Sequence, residues 1–352
     1  MIYNQIVSLP VLIENIDLTQ VDLVELFATA NLQFRSALVL TGAKKSAQLS
    51  KRLTDQNSGH MAFRVVDGVN AEKSQANDLR QLVEKNDYDL ILGVGGGRVL
   101  DTAKYVASRT SLNYLALPTV VSNDGLASPI SILYTEGRSR SYSASTPTGI
   151  LLDRTVIRQA DPKFVLSGVG DIISNFSALL DWKLAIKHGK ERPSSFAKLL
   201  AETAVSNLIE LAIEPSSDRY IETYVNSIIL CGLSMAISGN SRPCSGAEHL
   251  LSHAIVQHGL SRQSHGFLVG SLTGYVAWLH GVREEKPYRF LKQHGYFHRF
   301  EDLLDKNFQL SSLFDAARIV RGDRFTILET FSNEQLLKHY SEFVDFMDEL
   351  ST

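Results

Sequence analysis

The stretch Leu90-Ile91-Leu92-Gly93-Val94-Gly95-Gly96-Gly97-Arg98-Val99-Leu100-Asp101 decides how this chain is read. Residues 90–94 form an apolar run of strand length, residues 95–97 a tight turn, and residues 99–108 a helix-forming segment. That order brings a helix N-terminus, with unpaired N–H groups and the positive end of its dipole, to a place where a pyrophosphate can sit. Glycine lets the backbone approach such a ligand closely. The run is neither G-x-G-x-x-G nor a Walker-type loop ending in Gly-Lys-Ser/Thr, so a plain strand-to-helix turn accounts for it equally well. Arg98 is either a charge for a phosphate or a solvated side chain.

Working outward, residues 36–42, 62–66, 88–94 and 114–118 read as strands, separated by helix-like segments such as 46–53 and 73–85. Strands alternating with helices imply a parallel sheet covered on both faces, a Rossmann-like α/β domain. After about Asp161 strand signals fade, and residues 171–188, 196–213, 221–238, 246–258 and 266–279 all read as helices. We therefore expect an α/β N-terminal domain over residues 1–157 and an all-α C-terminal domain over 158–352, with the break near Asp161-Pro162 and the site in the cleft between them.

Composition narrows the function. A chain of 352 residues is long for one domain, and 44% hydrophobic with 21% charged residues is ordinary for a soluble globular protein. A net charge of -3 argues against a nucleic-acid partner. Cys231 and Cys244 make neither a disulfide framework nor a C-x-x-C metal motif, which fits a reducing cytoplasm. The start, Met1-Ile2-Tyr3-Asn4-Gln5-Ile6, lacks the basic and apolar regions of a signal peptide. Residues 266–282 are uncharged and apolar apart from Arg283 just beyond them, but they are glycine-rich and short for a bilayer span. They read as a buried helix, so no membrane insertion is expected.

His249 and His253 are spaced to share one helix face, His265 follows after a loop, and Asp171 opens a helix-like stretch. Two imidazoles and a carboxylate leave coordination positions open, as a catalytic divalent site requires. Hydrogen-bonded core histidines would produce the same spacing. His258, His280, His294 and His298 read as bystanders. The loop Thr41-Gly42-Ala43-Lys44-Lys45 offers no carboxylate to an adenine ribose, and Lys44 and Lys45 would tolerate a 2′-phosphate, so NADP is expected as well as NAD. Arg242 and Arg262 are near enough in sequence to the histidines to be candidates for holding a substrate phosphate.

Gly95-Gly96-Gly97-Arg98-Val99-Leu100-Asp101-Thr102-Ala103-Lys104 resembles the GGG-x-x-x-D-x-A-K signature of the iron-containing alcohol dehydrogenase, glycerol dehydrogenase and dehydroquinate synthase superfamily. Residues 117–129, 168–171 with 180–185, and above all Ser241-Arg242-Pro243-Cys244-Ser245-Gly246-Ala247-Glu248-His249 resemble the sn-glycerol-1-phosphate dehydrogenases. The resemblance covers residues 35–275. It implies a dehydroquinate synthase-like fold and Asp171, His249 and His265 as ligands of zinc, nickel or iron. It implies His253 and Asp124 as groups that meet the substrate. It implies Gly95, Gly96, Gly97, Arg98, Thr119, Ser122 and Ser128 as contacts to NAD or NADP.

Two positions depart from that family. Asn123 stands where it usually has His, and Gly266-Phe267-Leu268-Val269-Gly270 stands for Gly-Glu-Gln-Val-Gly. The missing glutamate would be a candidate for orienting a ligating histidine, which leaves metal preference open. The implied reaction interconverts dihydroxyacetone phosphate and sn-glycerol 1-phosphate, a small phosphorylated ketone and polyol. The alternatives are a glycerol dehydrogenase using NAD, a cyclase resembling dehydroquinate synthase, and an inactive relative. A homo-oligomer is compatible with the sequence.

Overall fold

Strand β4 (Leu90–Gly95) is buried along its whole length, because in a parallel sheet helices cover both faces and no residue is left to alternate outward. In the computed structural model, which describes residues 7–210, 217–306 and 308–350, it lies inside a six-stranded parallel sheet. The strands are β1 (Leu12–Asn15), β2 (Ser36–Thr41), β3 (Ala62–Val66), β4, β5 (Asn113–Pro118) and β8 (Gly149–Leu152), in the spatial order β1-β8-β5-β4-β2-β3. Thr41 pairs with Val94 and Gly95 with Pro118, so β2, β4 and β5 end level with one another. The loops that follow these strands therefore share the carboxyl edge of the sheet, where open α/β sheets bind ligands.

Helices α1 (Leu23–Thr29), α2 (Lys45–Asn57), α3 (Lys73–Glu84), α4 (Gly97–Thr110) and α5 (Arg154–Arg158) complete the N-terminal unit. A separate hairpin, β6 (Ile130–Thr135) and β7 (Arg138–Ser143), turns at Glu136-Gly137, both with positive φ, the mirror-image turn that suits strand twist. The sequence reading did not anticipate this hairpin, nor β1 at the sheet edge and β8 between β1 and β5. β1 and β8 have four residues each, too few for a period to show, and β7 is polar and almost entirely exposed.

The chain divides into two compact units, Met1–Val165 and Leu166–Thr352. The second is helical: α6 (Pro162–Lys187), α7 (Ser195–Glu210), α8 (Asp218–Ser238), α9 (Ala247–Gln257), α10 (His265–Leu279), α11 (Glu285–Gln293), α12 (Phe300–Leu303), α13 (Leu310–Val320) and α14 (Asn333–Glu349). α6 and α8 are long and apolar enough to cross a membrane, yet about two thirds of each apolar window is buried inside the protein. The apolar stretch beginning at Gly266 is α10, buried nearly throughout. One expectation is corrected here. Asp171 does not open a helix but sits well inside α6, because proline is tolerated in a first turn and the helix already starts at Pro162. The readings made on Met1 to Ile6 and on the helix end at residue 213 lie outside the described residues.

Glycines set the spacing of α6 and α10. A Cβ on Gly170 would overlap the Gly266 carbonyl, one on Gly266 would overlap the Ser167 carbonyl, and one on Gly270 would come within 2.7 Å of the Gly170 Cα. The two backbones touch, and no larger residue fits without parting them. Gly266→Ala should therefore lower unfolding free energy by about 1–3 kcal/mol, the usual cost of overpacking. Gly59→Ala, whose Cβ would meet nothing, should stay within about 0.5 kcal/mol of the parent. Equal denaturant midpoints for the two variants would contradict the close approach.

Candidate functional site

In the N-terminal unit the glycine turn joins β4 to α4. Gly96 precedes the helix without a side-chain cap, and with the Val99 N–H already on Gly96 O (3.0 Å) the N–H groups of Gly97 and Arg98 are the ones placed to meet an external acceptor. Two of the glycines are also demanded by packing. A Cβ on Gly95 would lie 2.8 Å from the Val99 side chain, and one on Gly96 would lie 3.1 Å from Val120. Gly97 has more room, and it lines a recess together with Asp101, Ser122, Asn123 and Gly125. Thr119 is half-buried next to the turn, its N–H donating to Gly95 O (2.9 Å). An uncapped helix start beside an open recess fits a pyrophosphate.

The other candidates of this unit fall around the recess. Arg98 is exposed, its guanidinium 5.6 Å over the Tyr134 ring. Ser128 is buried beneath the surface, its hydroxyl directed at Ile130 O (3.4 Å). Asp124 opens a short 3-10 turn capped by Asn123, whose side chain accepts from the Gly125 N–H (2.9 Å). Lys44 adopts positive φ at the start of α2, and Lys45 Nζ donates to Gln159 Oε1 (3.2 Å).

A residue that the sequence reading did not single out holds this region in place. Lys104 is buried, and its Nζ donates to Gly125 O (2.5 Å) and Ser128 O (3.1 Å), with Asp101 Oδ1 3.5 Å away. It thereby braces the segment that carries Asp124 and Ser128. Burial pushes Asp101 up to about 6 against the pull of Lys104. A lysine on the buried side of an amphipathic helix was the available signal.

In the helical unit Asp171, His249 and His265 each offer one donor atom, all within 4.8 Å of one another. Asp171 Oδ1 lies 3.9 Å from His249 Nε2 and 3.7 Å from His265 Nε2. Those separations are a few tenths of an ångström wider than the ~3.4 Å that two ligand bonds of about 2.0–2.2 Å at a tetrahedral angle span, so small side-chain shifts would close the donors on a shared ion. Burial holds His249 well below its usual pKa, and the charges of His265, Arg324 and Arg321 add to the effect. His265 is pushed the same way by its surroundings and by Arg321, although its side chain is 41% exposed. Neutral imidazoles with free lone pairs, plus a carboxylate, fit a divalent metal.

The opposite ring nitrogens are also engaged. His249 Nδ1 is 2.9 Å from Glu248 Oε1, and His265 Nδ1 is 3.4 Å from Ser252 Oγ. With Glu248 ionised, His249 carries its proton on Nδ1 and turns the Nε2 lone pair toward Asp171. Burial raises the Glu248 pKa, opposed by donation from Gly246 N (2.7 Å) and Ser177 Oγ (2.8 Å). A carboxylate able to orient His249 thus stands at Glu248, the residue before that candidate ligand. Sequence reasoning overlooked it because adjacent residues on a helix do not usually face a common centre.

Around this sits a further layer. Asp181 accepts from Ala247 N (2.6 Å), Ile327 N (2.7 Å) and His280 Nε2 (2.9 Å), fixing the start of α9. His280, read as a bystander, is therefore a structural partner. His253 stands outside the triad, its ring 6.2 Å from that of His249 and 5.6 Å from that of His265. Burial, followed by His265 and His249, holds it well below its usual pKa. Arg242 is buried with Nε on Glu191 Oε1 (3.0 Å) and Nη2 on Phe325 O (2.6 Å), whereas Arg262 is exposed.

Residues 21–161 match the family described as iron-containing alcohol dehydrogenase. The chain is 32% identical over 298 residues to a glycerol-1-phosphate dehydrogenase (NAD(P)+) of Methanosarcina barkeri, covering 83% of each protein. It is 31% identical over 310 residues to that of Caldivirga maquilingensis, covering 84% of this chain and 86% of the relative. In fold it is similar to a probable glycerol dehydrogenase from Sinorhizobium meliloti, with a TM-score of 0.75 at 21% identity over 98% of this chain and 99% of that one. The chain belongs to the glycerol-1-phosphate dehydrogenase family of NAD(P)-dependent alcohol dehydrogenases.

Proposed function

We propose that the chain interconverts dihydroxyacetone phosphate and sn-glycerol 1-phosphate with NAD(H) or NADP(H), using one divalent ion held by Asp171, His249 and His265. The observation that carries this reading is the converging donor set in a chain whose relatives are glycerol-1-phosphate dehydrogenases. Zinc suits two imidazoles and a carboxylate best, and nickel or iron would also be accepted. When bound, the ion supplies Lewis acidity toward the substrate carbonyl, and the reduced nicotinamide supplies the hydride.

The chain's own part is to bind, orient and move a proton. Asp171 contributes charge and an oxygen, and His249 and His265 contribute Nε2. Glu248 keeps His249 in the tautomer that can do so. His253, outside the triad, or a water chain to it, is assigned the relay of a proton to the hydroxyl oxygen being formed, one ring nitrogen giving its proton as the other takes one from water at the partly exposed face of the ring. Asp124 is assigned a second substrate contact. The glycine turn, Arg98, Thr119, Ser122 and Ser128 are assigned to the dinucleotide. Lys44 and Lys45, following β2 at the same sheet edge, support use of NADPH beside NADH.

The direct test is nicotinamide oxidation with dihydroxyacetone phosphate by protein stripped of metal and reloaded with zinc, nickel or iron. Absorbance loss should require the ion. Turnover of glycerol with NAD but none of the phosphate ester would replace this reading with a glycerol dehydrogenase.

Single substitutions separate the assigned roles. His249→Ala and His265→Ala should lose bound metal on gel filtration. His253→Ala should keep it while kcat falls by about 100-fold, the usual contribution of a positioned acid. Full metal and full rate in a ligand variant would remove that residue from the set.

Glu248→Gln tests the orienting contact. Metal affinity, read by competition with a chelating dye, should weaken by about 10–100-fold. Unaltered affinity would reduce Glu248 to a packing residue.

A further inference from the structure

Three arginines of the helical unit, Arg242, Arg321 and Arg324, stand near the start of α9. α13 runs back along α9. The Asp305 N–H, before α13, donates to Leu260 O (2.6 Å), just beyond the end of α9. At the other end, Arg324 Nη1 donates to Ser245 O (2.6 Å) and Nη2 to Ser241 Oγ (2.9 Å), just before α9 begins. The residue that ends α13, Arg321, is thereby brought to the end of α9 that carries Glu248 and His249.

The three arginines here differ in what they hold. Arg242 is committed to Glu191 and Phe325 O, and Arg324 to Ser245 and Ser241. Arg321 is half-buried and, among the described residues, makes no side-chain hydrogen bond or ion pair. Asp323 favours its charged form without pairing with it. A phosphate monoester, carrying about -1.5 to -2 at neutral pH, would give Arg321 the partner that the described residues do not supply.

We infer that Arg321 is the anchor for the substrate's phosphate group, beside the Asp171, His249 and His265 donors. This rests on the phosphate-ester reading above and names the residue that would enforce it. It replaces both earlier candidates, since Arg242 already bonds Glu191 and Phe325 O and Arg262 is exposed. A guanidinium fork matches phosphate geometry, and loss of one partner from such a charge pair weakens binding sharply.

The test compares parent, Arg321→Gln and Arg321→Lys as metal-loaded proteins. First, kcat/KM is measured for dihydroxyacetone phosphate and for dihydroxyacetone. In Arg321→Gln the phosphate ester should lose at least ~30-fold more than the free ketone, mainly through KM, with partial recovery in Arg321→Lys. Second, inorganic phosphate is titrated calorimetrically, and its binding should be lost with the glutamine. Bound metal, measured alongside, should stay at the parent level. Equal losses on both substrates, or undiminished phosphate binding, would overturn the assignment. If the parent ignores dihydroxyacetone phosphate, the proposed reaction fails, and the titration still decides the anchor. Phosphate binding that depends on Arg321 keeps it for another phosphorylated polyol, whereas binding independent of Arg321, or none, removes it.

Discussion

The contact on which the candidate metal centre depends is between backbones. Gly170 and Gly266 let α6 and α10 touch with no side chain between them. Asp171 follows the first glycine and His265 precedes the second, so the same contact fixes the 3.7 Å between Asp171 Oδ1 and His265 Nε2. A Cβ at either glycine would push against a carbonyl oxygen, which has no rotamer through which to yield. Close packing transmits such a displacement instead of absorbing it. The third donor depends on a similar device. A Cβ on Gly246 would lie 2.7 Å from Asp181 Oδ2 and 2.9 Å from Glu248 Oε2, so the carboxylate that orients His249 and the one that anchors α9 meet over a residue with no side chain.

That dependence explains what the sequence could and could not reveal. Strands β2 to β5 and the helices between them follow from the sequence, since a short apolar or β-branched run and an amphipathic helix each leave a local pattern. The residues offered Asp171 and three histidines as candidates, and the family resemblance named the donors, since the pair at helical spacing is His249 and His253 and His253 stands outside the triad. What local pattern does not carry is which carboxylate serves which histidine. The reading looked for the orienting partner where Phe267 stands, yet it lies at Glu248, through a contact set by the turn at Gly246. Lys104 and His280 were missed for the same reason. Each acts on a segment far along the chain, Lys104 on the carbonyls of Gly125 and Ser128 and His280 on Asp181. Short strands escaped for another reason, since four residues cannot show a period of two with any force.

The charge arrangement of the helical unit follows from burial as much as from attraction. Burial keeps His249 and His253 neutral, and Arg321 and Arg324 push in the same direction. A cluster of imidazoles beside guanidiniums would repel a second proton, so the histidines remain lone-pair donors in conditions where exposed histidines would be charged. The same guanidiniums would oppose a metal cation unless something negative came with it. Asp171, Glu248, Asp181 and Asp323 provide such charge from within the protein. A phosphate ester would add to it, so ion and anionic substrate would favour each other's binding. A neutral polyol brings no such compensation. Discrimination between a phosphate ester and a free polyol can thus arise from the electrostatic balance around the ion, without any pocket shaped to exclude the smaller molecule.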